Sequence, residues 1–475
     1  MGEETRLLSL GISPDRIWGD KNDTIVYAQV LRVKRGGAII FRFYRNPLQS
    51  PKSLSNRVVN HYHDIEVPDA TFGFRDRAAM RSAIWSSIAT VWRSCAITPN
   101  IFAPGTVIDI SSHESEGSIW CLYRSPLFYQ YLGLLRRIQR SDLVPASSSA
   151  PTTDISQIHL LEPTGGGGHS RRALIHRGSG ISTSFIFKGI DFATYLQLRD
   201  DDNKSVRAMV KAWRRSSKLI VDMAPHPSIQ PPPEMLVTVR DLNGEEVLMG
   251  HLSTLLSTGN LAAVIERINR LEVSISLQEK ATWCRQMALA VAHAHHVLHT
   301  FHMNVKPESF LVDVGLNLLL ADWEQSGASA TTLAPEADGT WDVKEETTDG
   351  GTKLVYTKYT GPPRRNMPQG SGPATSPAWN VFPKWQANFP RATELAEVFS
   401  LGRTMWMLLT QTVGEFDDVK HPDDIRVTWV GAKNLPSHWI EMVERCMEHD
   451  PNKRPGLENL VKFWKNEESL LERNL

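Results

Sequence analysis

The chain has 475 residues, a length that suggests about three domain-sized units. Lysine plus arginine and aspartate plus glutamate each number 52, so no overall field favours nucleic acid or a membrane surface. Hydrophobic residues make up 41%, enough for large cores, yet no run approaches the ~18 apolar residues needed to cross a bilayer.

From the N-terminus, Thr24–Val33 and Ala38–Tyr44 are rich in Ile, Val, Phe and Tyr and flank Lys34-Arg35-Gly36-Gly37, which predicts a β-hairpin with a glycine turn. Arg75–Cys95 carries Met80, Ile84, Ile88 and Val91 at helical spacing, widened by Trp85 and Trp92, and predicts a core-facing helix rather than a binding box. Strand-like pieces follow at Val107–Ile110 and Ser118–Tyr123. Residues 1–140 thus form a smaller α+β domain in which no motif names a chemistry. Ser141–Asp154 is rich in Ser, Pro and Thr and predicts a linker.

Beyond it, Ile155–Leu161, Ala173–His176 and Ser184–Gly189 predict strands, the last ending in Lys188. A helix is expected after Asp200-Asp-Asp-Asn203, whose negative charge suits a helix N-terminus, with Val206, Met209, Val210 and Trp213 on one face. Leu277–Thr300 places Cys284, Met287, Val291 and Leu298 on one helical face. Phe310–Val312 and Leu318–Ala321 are apolar runs short enough for two small strands. Asn366–Ala392 is Gly/Pro-rich and carries Trp379, Phe382, Trp385 and Phe389, which are expected to pin it to its own domain.

Four motifs then fall in order. His302-Met-Asn-Val-Lys-Pro-Glu-Ser309 resembles the catalytic loop H-R-D-L-K-x-x-N of protein kinases, and Asp322-Trp-Glu324 stands where that family has D-F-G. Glu397-Val-Phe-Ser-Leu-Gly402 is similar to the D-V-W-S-L-G of the family's central C-lobe helix, and Asp450-Pro-Asn-Lys-Arg454-Pro455 to its late D-P-x-x-R-P. The resemblance covers roughly Asp154 to Trp464 and extends to a fungal group of kinase-like proteins with D-W-E in place of D-F-G. It implies an α+β, bilobal protein-kinase-like fold preceded by the N-terminal domain, with an N-lobe over 155–250, a C-lobe over 251–475 and an insertion at 366–392.

What the resemblance implies for the chemistry is mixed. Lys188 looks like the strand lysine that holds nucleotide phosphates, Lys306 like the phosphate-facing lysine and Asp322 like the metal-binding aspartate. Gly165, Gly166, Gly167 and Gly168 are the candidates for the phosphate-covering loop, although the run lacks G-x-G-x-x-G spacing. Asn304 stands at the position of the catalytic aspartate, and a carboxamide cannot accept a proton at neutral pH. Ser309 replaces the asparagine that holds the second metal. Ser217 aligns with the glutamate that pairs the strand lysine, and Glu324 replaces the glycine of D-F-G. Ala334-Pro-Glu336 spells the family's A-P-E anchor but follows Asp322 closely. Tyr359-Thr-Gly-Pro-Pro-Arg364 is therefore the expected counterpart, with Pro363 at the glutamate and its ion pair to Arg454 in doubt.

The expected function is a pseudokinase acting as a regulatory or scaffolding module, with weak binding of ATP and Mg²⁺. The alternatives are a weakly active serine/threonine kinase, or an activity carried by residues 1–140. His295, His299 and His302 fall at i, i+4 and i+7, but no fourth ligand completes a zinc site. Lys204, Arg207, Lys211, Arg214, Arg215 and Lys218 make one helix basic, which reads as a solvated face. Four dispersed cysteines and a polar N-terminus suit a reducing, cytoplasmic or nuclear protein that is not secreted. Its expected partners are proteins, without nucleic acid or membrane insertion.

Overall fold

The computed structural model describes residues 3–473 except 34–36, 47, 66–72, 99–100, 114–116, 146–147, 165–169, 178–180, 200–202, 242, 326, 349–350, 362–363, 365–380, 414–415, 417–418, 420, 431 and 433. The chain is mixed α+β and divides into two compact units, one of residues 1–214 and 232–255, the other of residues 215–231 and 256–475. Among the described residues no helix is long and apolar enough to cross a membrane.

The first unit opens with helix α1 (Glu3–Ser9) and strands β1 (Ile12–Gly19), β2 (Ile25–Arg32) and β3 (Ala38–Tyr44). The expected hairpin is β2–β3, antiparallel with Leu31 opposite Ala38. Helices α2 (Leu54–Tyr62) and α3 (Arg77–Cys95) then cross over to β4 (Thr106–His113), which lies parallel to β3 and pairs with β5 (Gly117–Arg124). A crossover is required because parallel neighbours cannot be joined by a tight turn. The order of this five-stranded sheet is β1-β2-β3-β4-β5. Asp76 caps α3 by accepting from the Ala79 N–H at 2.7 Å. Its apolar stripe is buried against Val26, Ala28 and Val30 of β2 and Ile39 and Phe41 of β3.

The opposite face of β2 carries Tyr27 and Leu31, and it is covered as well. Helix α4 (Pro126–Leu135) and a second sheet pack there, sharing a core that includes Tyr27, Ile40, Phe128, Ile158 and Leu236. The Ser/Pro/Thr-rich stretch expected to be a linker takes part in this packing. Leu143 and Val144 are buried, and the Asp142 carboxylate accepts from Arg214 Nε at 2.6 Å. The stretch ends as strand β6 (Thr152–Asp154), which pairs in parallel with Leu236, Val237 and Thr238. Two adjacent apolar residues inside an otherwise polar run are enough to fasten it.

The second sheet continues with β7 (Ile158–Pro163), β8 (Ser170–Arg177) and β9 (Ile181–Gly189), then α5 (Phe192–Leu198) and α6 (Lys204–Asp222), then β10 (Met235–Arg240) and β11 (Glu246–Thr254). Its order is β6-β10-β11-β9-β8-β7. On α6, Val206 and Trp213 are buried as expected. The basic run is partly engaged, since Arg214 bonds Asp142 and Lys218 reaches Asp222 at 2.8 Å. The two sheets are pinned by charge as well as by packing. Arg16 Nη2 donates to both oxygens of Asp191 at 2.9 Å, and Arg171 Nη2 donates to Asp15 at 3.1 Å. Burial alone would raise the Asp191 pKa, but the two guanidinium groups and the Thr194 N–H hold it down to about 2.

The second unit is mainly helical: α7 (Leu261–Arg270), α8 (Leu277–His296), α9 (Phe382–Asn388), α10 (Pro390–Thr410), α11 (Ser437–Cys446) and α12 (Leu457–Arg473). Two small hairpins complete it, β12 (Phe310–Val312) with β13 (Leu318–Leu320), and β14 (Trp341–Thr348) with β15 (Gly351–Lys358). Helix α10 is buried without interruption from Leu395 to Leu409, the mark of a central core helix. Cys284, Met287 and Val291 of α8 pack into the same core with Trp439 and Trp464. Of the aromatic residues at 366–392, Phe382 and Trp385 are buried beside Phe301 and Leu354, and Phe389 is partly buried against them. Trp379 lies outside the described residues.

Candidate functional site

The segment from His302 to Ser309 lies between α8 and the β12–β13 hairpin, and buried groups fix it at both ends. The Glu397 side chain on α10 is fully buried, and its Oε1 accepts from the backbone N–H of His302 at 2.9 Å and from that of Met303. Its Oε2 meets His295 Nε2 at 2.7 Å. Two backbone donors and an imidazole satisfy a carboxylate that would otherwise be costly to bury. The His302 ring bonds the Ala321 carbonyl through Nε2 at 2.6 Å and packs edge-on against Trp323, centroids 4.8 Å apart. His295 and His302 are thus each turned to a protein partner instead of converging.

Asn304 and Ser309 form a closed circuit. Ser309 Oγ donates to the Asn304 carbonyl at 2.7 Å and is almost fully buried. Asn304 Oδ1 accepts the backbone N–H of Ser329 at 3.1 Å. The carboxamide at the predicted base position is therefore held by the chain itself. Lys306 is half-buried just before the short 3₁₀ turn Pro307–Ser309.

Asp322 follows β13 with φ +63, and Gln325 has φ +49; both are left-handed conformations that cost an L-residue ~1 kcal/mol or more. The surroundings enforce them. Trp323 is fully buried, Gln325 Nε2 donates to the Phe301 carbonyl at 2.5 Å, and Arg215 Nη2 donates to the carbonyls of Glu324 and Gln325, each at 2.8 Å. The turn that carries Glu324 is clamped through its backbone. Asp322 remains half-buried, and Ser217 is buried in the same unit.

The stretch after Asp322 corrects one expectation. Arg454 binds Glu336 in a two-pronged ion pair, Nη1–Oε1 2.5 Å and Nη2–Oε2 3.0 Å, with the Arg454 side chain fully buried. Arg454 Nη1 also donates to the Leu395 carbonyl at 3.0 Å and Nε to that of Glu448 at 2.7 Å. Glu336, within Ala334-Pro-Glu336, is thus the residue that pairs with Arg454. Ala328, Thr332 and Leu333 of the stretch after Asp322 are buried. Tyr359 lies after the β14–β15 hairpin, and Pro363 lies outside the described residues.

In the first unit, Lys188 sits on β9 opposite His251 of β11 and Ser170 of β8, and is largely buried. Burial and the neighbouring Lys188 charge push the His251 pKa down to about 3. Adjacent Gly189 faces Gly250, and a Cβ there would strike the Met249 carbonyl, so the strands' close approach beside Lys188 needs glycine. Gly165–Gly168 lie outside the described residues, between β7 and β8.

Three contributors escaped the sequence reading. Glu336 was visible as a literal motif but was discounted on spacing. Ser329 carried no signal, because its contribution is a backbone N–H. The pairing of His295 with Glu397 joins residues 102 positions apart. No protein-family model and no curated protein matches the chain.

Proposed function

We propose that this chain is a kinase-like pseudokinase, a regulatory or scaffolding module for protein partners in the cytoplasm or nucleus. The single observation that carries the reading is Asn304, which cannot take a proton and whose Oδ1 is already bonded to the Ser329 backbone. General-base help is worth about 10²–10⁴-fold in such reactions, and a carboxamide cannot supply it. Kinase-like organisation draws support from the β7-β8-β9-β11-β10 order with α6 inserted between β9 and β10, and from the anchors Glu397 and Glu336–Arg454.

For ATP and Mg²⁺ the residues present form an incomplete set. By the resemblance Asp322 is the one carboxylate that would meet a metal, whereas the Ser309 hydroxyl is buried and turned to the Asn304 carbonyl. This donor set does not fit the two-metal arrangement of active protein kinases, and we derive no transfer step from it. Weak nucleotide retention is what the resemblance assigns to Lys188, Lys306 and Asp322. A ligand at 100 times its dissociation constant adds ~2.7 kcal/mol of stability. Thermal unfolding in millimolar Mg·ATP should show a rise in Tm that Lys188→Met removes. A flat Tm, or a rise that survives the substitution, would refute nucleotide retention. The runner-up, a low-rate serine/threonine kinase, draws on the well-anchored His302–Ser309 loop and on Asp322.

A further inference from the structure

We propose that His226 is an acid-sensitive latch in the second unit: its neutral imidazole holds residues 226–230 against β13, and its protonation loosens that segment and the strand that leads into Asp322. His226-Pro227-Ser228-Ile229 is a β-turn, closed by the Ile229 N–H on the His226 carbonyl at 3.1 Å, with proline at a position such turns favour. Beyond the turn the chain lies beside β13 as a short parallel partner. The Leu320 N–H donates to the Ser228 carbonyl at 2.9 Å, and the Gln230 N–H donates to the Leu320 carbonyl at 3.0 Å. Ile229 is buried in the same core as Leu320.

The turn needs one protonation state of the ring. His226 Nδ1 accepts the Ser228 N–H at 3.1 Å, so Nδ1 is bare and the neutral ring carries its proton on Nε2. A protonated ring has an N–H at both positions and would set a donor against a donor. The His226 ring is half-buried and lies against that of His293 on α8, centroids 4.6 Å apart. Burial first, and then the neighbouring His293, hold the His226 pKa below its ordinary 6.5. Among the described residues His293 is the titratable side chain that acts on it, and His293 Nε2 is buried there without a hydrogen-bond partner. Charged groups on the same elements are turned to partners of their own: Asp222 to Lys218, Arg215 to the carbonyls of Glu324 and Gln325, His295 to Glu397 and His296 to Glu394. Strand β13 is three leucines. A proton on His226 therefore breaks a hydrogen bond and gains no carboxylate among these groups. With the turn open the ring titrates near 6.5, so opening is suppressed above that pH and favoured progressively below it. The alternative is a static turn in which His226 only packs.

The test is hydrogen exchange of the full chain at pH 7.5 and 5.5, read as protection factors so that the intrinsic pH dependence of exchange is removed. Protection of the Gln230 and Leu320 amides should fall by up to about tenfold between the two values, the ratio for one group that titrates near 6.5 when open and lower when closed. His226→Asn should flatten that dependence, because a carboxamide oxygen accepts the Ser228 N–H at either pH. Titration of His251 affects both proteins alike and cancels in the comparison. Nitrogen NMR of the wild-type imidazole gives a readout independent of any variant: at pH 7.5 His226 should carry its proton on Nε2. Protection unchanged by pH, a fall of the same size in His226→Asn, or a proton on Nδ1 would overturn the proposal in favour of the static turn.

Discussion

At the scale of single residues, the His302–Ser309 segment is held by buried, bonded groups. Glu397, His302 and Arg454 are buried and fully bonded, whereas Asn304 and Ser309 bond each other's neighbourhood. Truncating Arg454 to Ala should cost roughly 3–5 kcal/mol in chemical denaturation, because the Glu336 carboxylate is left buried without its partner. A loss below about 1 kcal/mol would show that the pair is not the anchor described. His251 gives a pH signature. Its folded pKa is about 3, while an unfolded histidine titrates near 6.5, so between those values only the unfolded chain takes up the proton. Stability therefore falls as pH drops through 6.5, by about 1.4 kcal/mol between pH 7.5 and 5.5 from this group alone. His251→Phe, which can still stack on Trp213, should remove that share of the loss in urea titrations at the two pH values. An unchanged pH dependence would place the sensitivity elsewhere.

At the scale of elements, legibility followed periodicity. Helix α3 announced itself through Met80, Ile84, Ile88 and Val91, and α8 through Cys284, Met287 and Val291, because a helix buried on one face repeats its apolar residues. The β2–β3 hairpin was equally plain from its β-branched and aromatic runs. What could not be read were contacts fixed by backbone atoms and by distance along the chain. Ser329 acts through its N–H, and the Glu336–Arg454 pair spans 118 positions. Counting residues from Asp322 favoured Tyr359 as the anchor, since spacing carries no information on how far a stretch has been shortened. The segment at 141–154 misled for the opposite reason. Its composition is that of a linker, but Leu143 and Val144 bind it to a core. Helix α8 begins with a reciprocal cap, Ser276 Oγ accepting from the Glu279 N–H while Glu279 accepts from the Ser276 N–H, both at 3.1 Å. Ser276→Ala should therefore destabilise the protein by about 0.5–2 kcal/mol, readable in a denaturant midpoint, and Ser276→Gly by less. Equal losses for the two would mean that the cap contributes nothing specific.

At the scale of the molecule, residues 1–140 and the second sheet form one compact unit, joined by the Arg16–Asp191 and Arg171–Asp15 pairs over a shared apolar core. The N-terminal region is thus part of the same unit as the strand that carries Lys188. The central claim concerns the other unit, where Asn304 Oδ1 accepts the Ser329 N–H. The most direct measurement is phosphate transfer from labelled Mg·ATP to a generic basic protein, with Asp322→Ala as the blank and Asn304→Asp alongside. The pseudokinase account predicts that wild type equals the blank. It also predicts that Asn304→Asp gains far less than the roughly 10²–10⁴-fold worth of a general base, because the remaining groups act as a unit. Wild-type transfer well above the Asp322→Ala blank would contradict it and establish a working kinase.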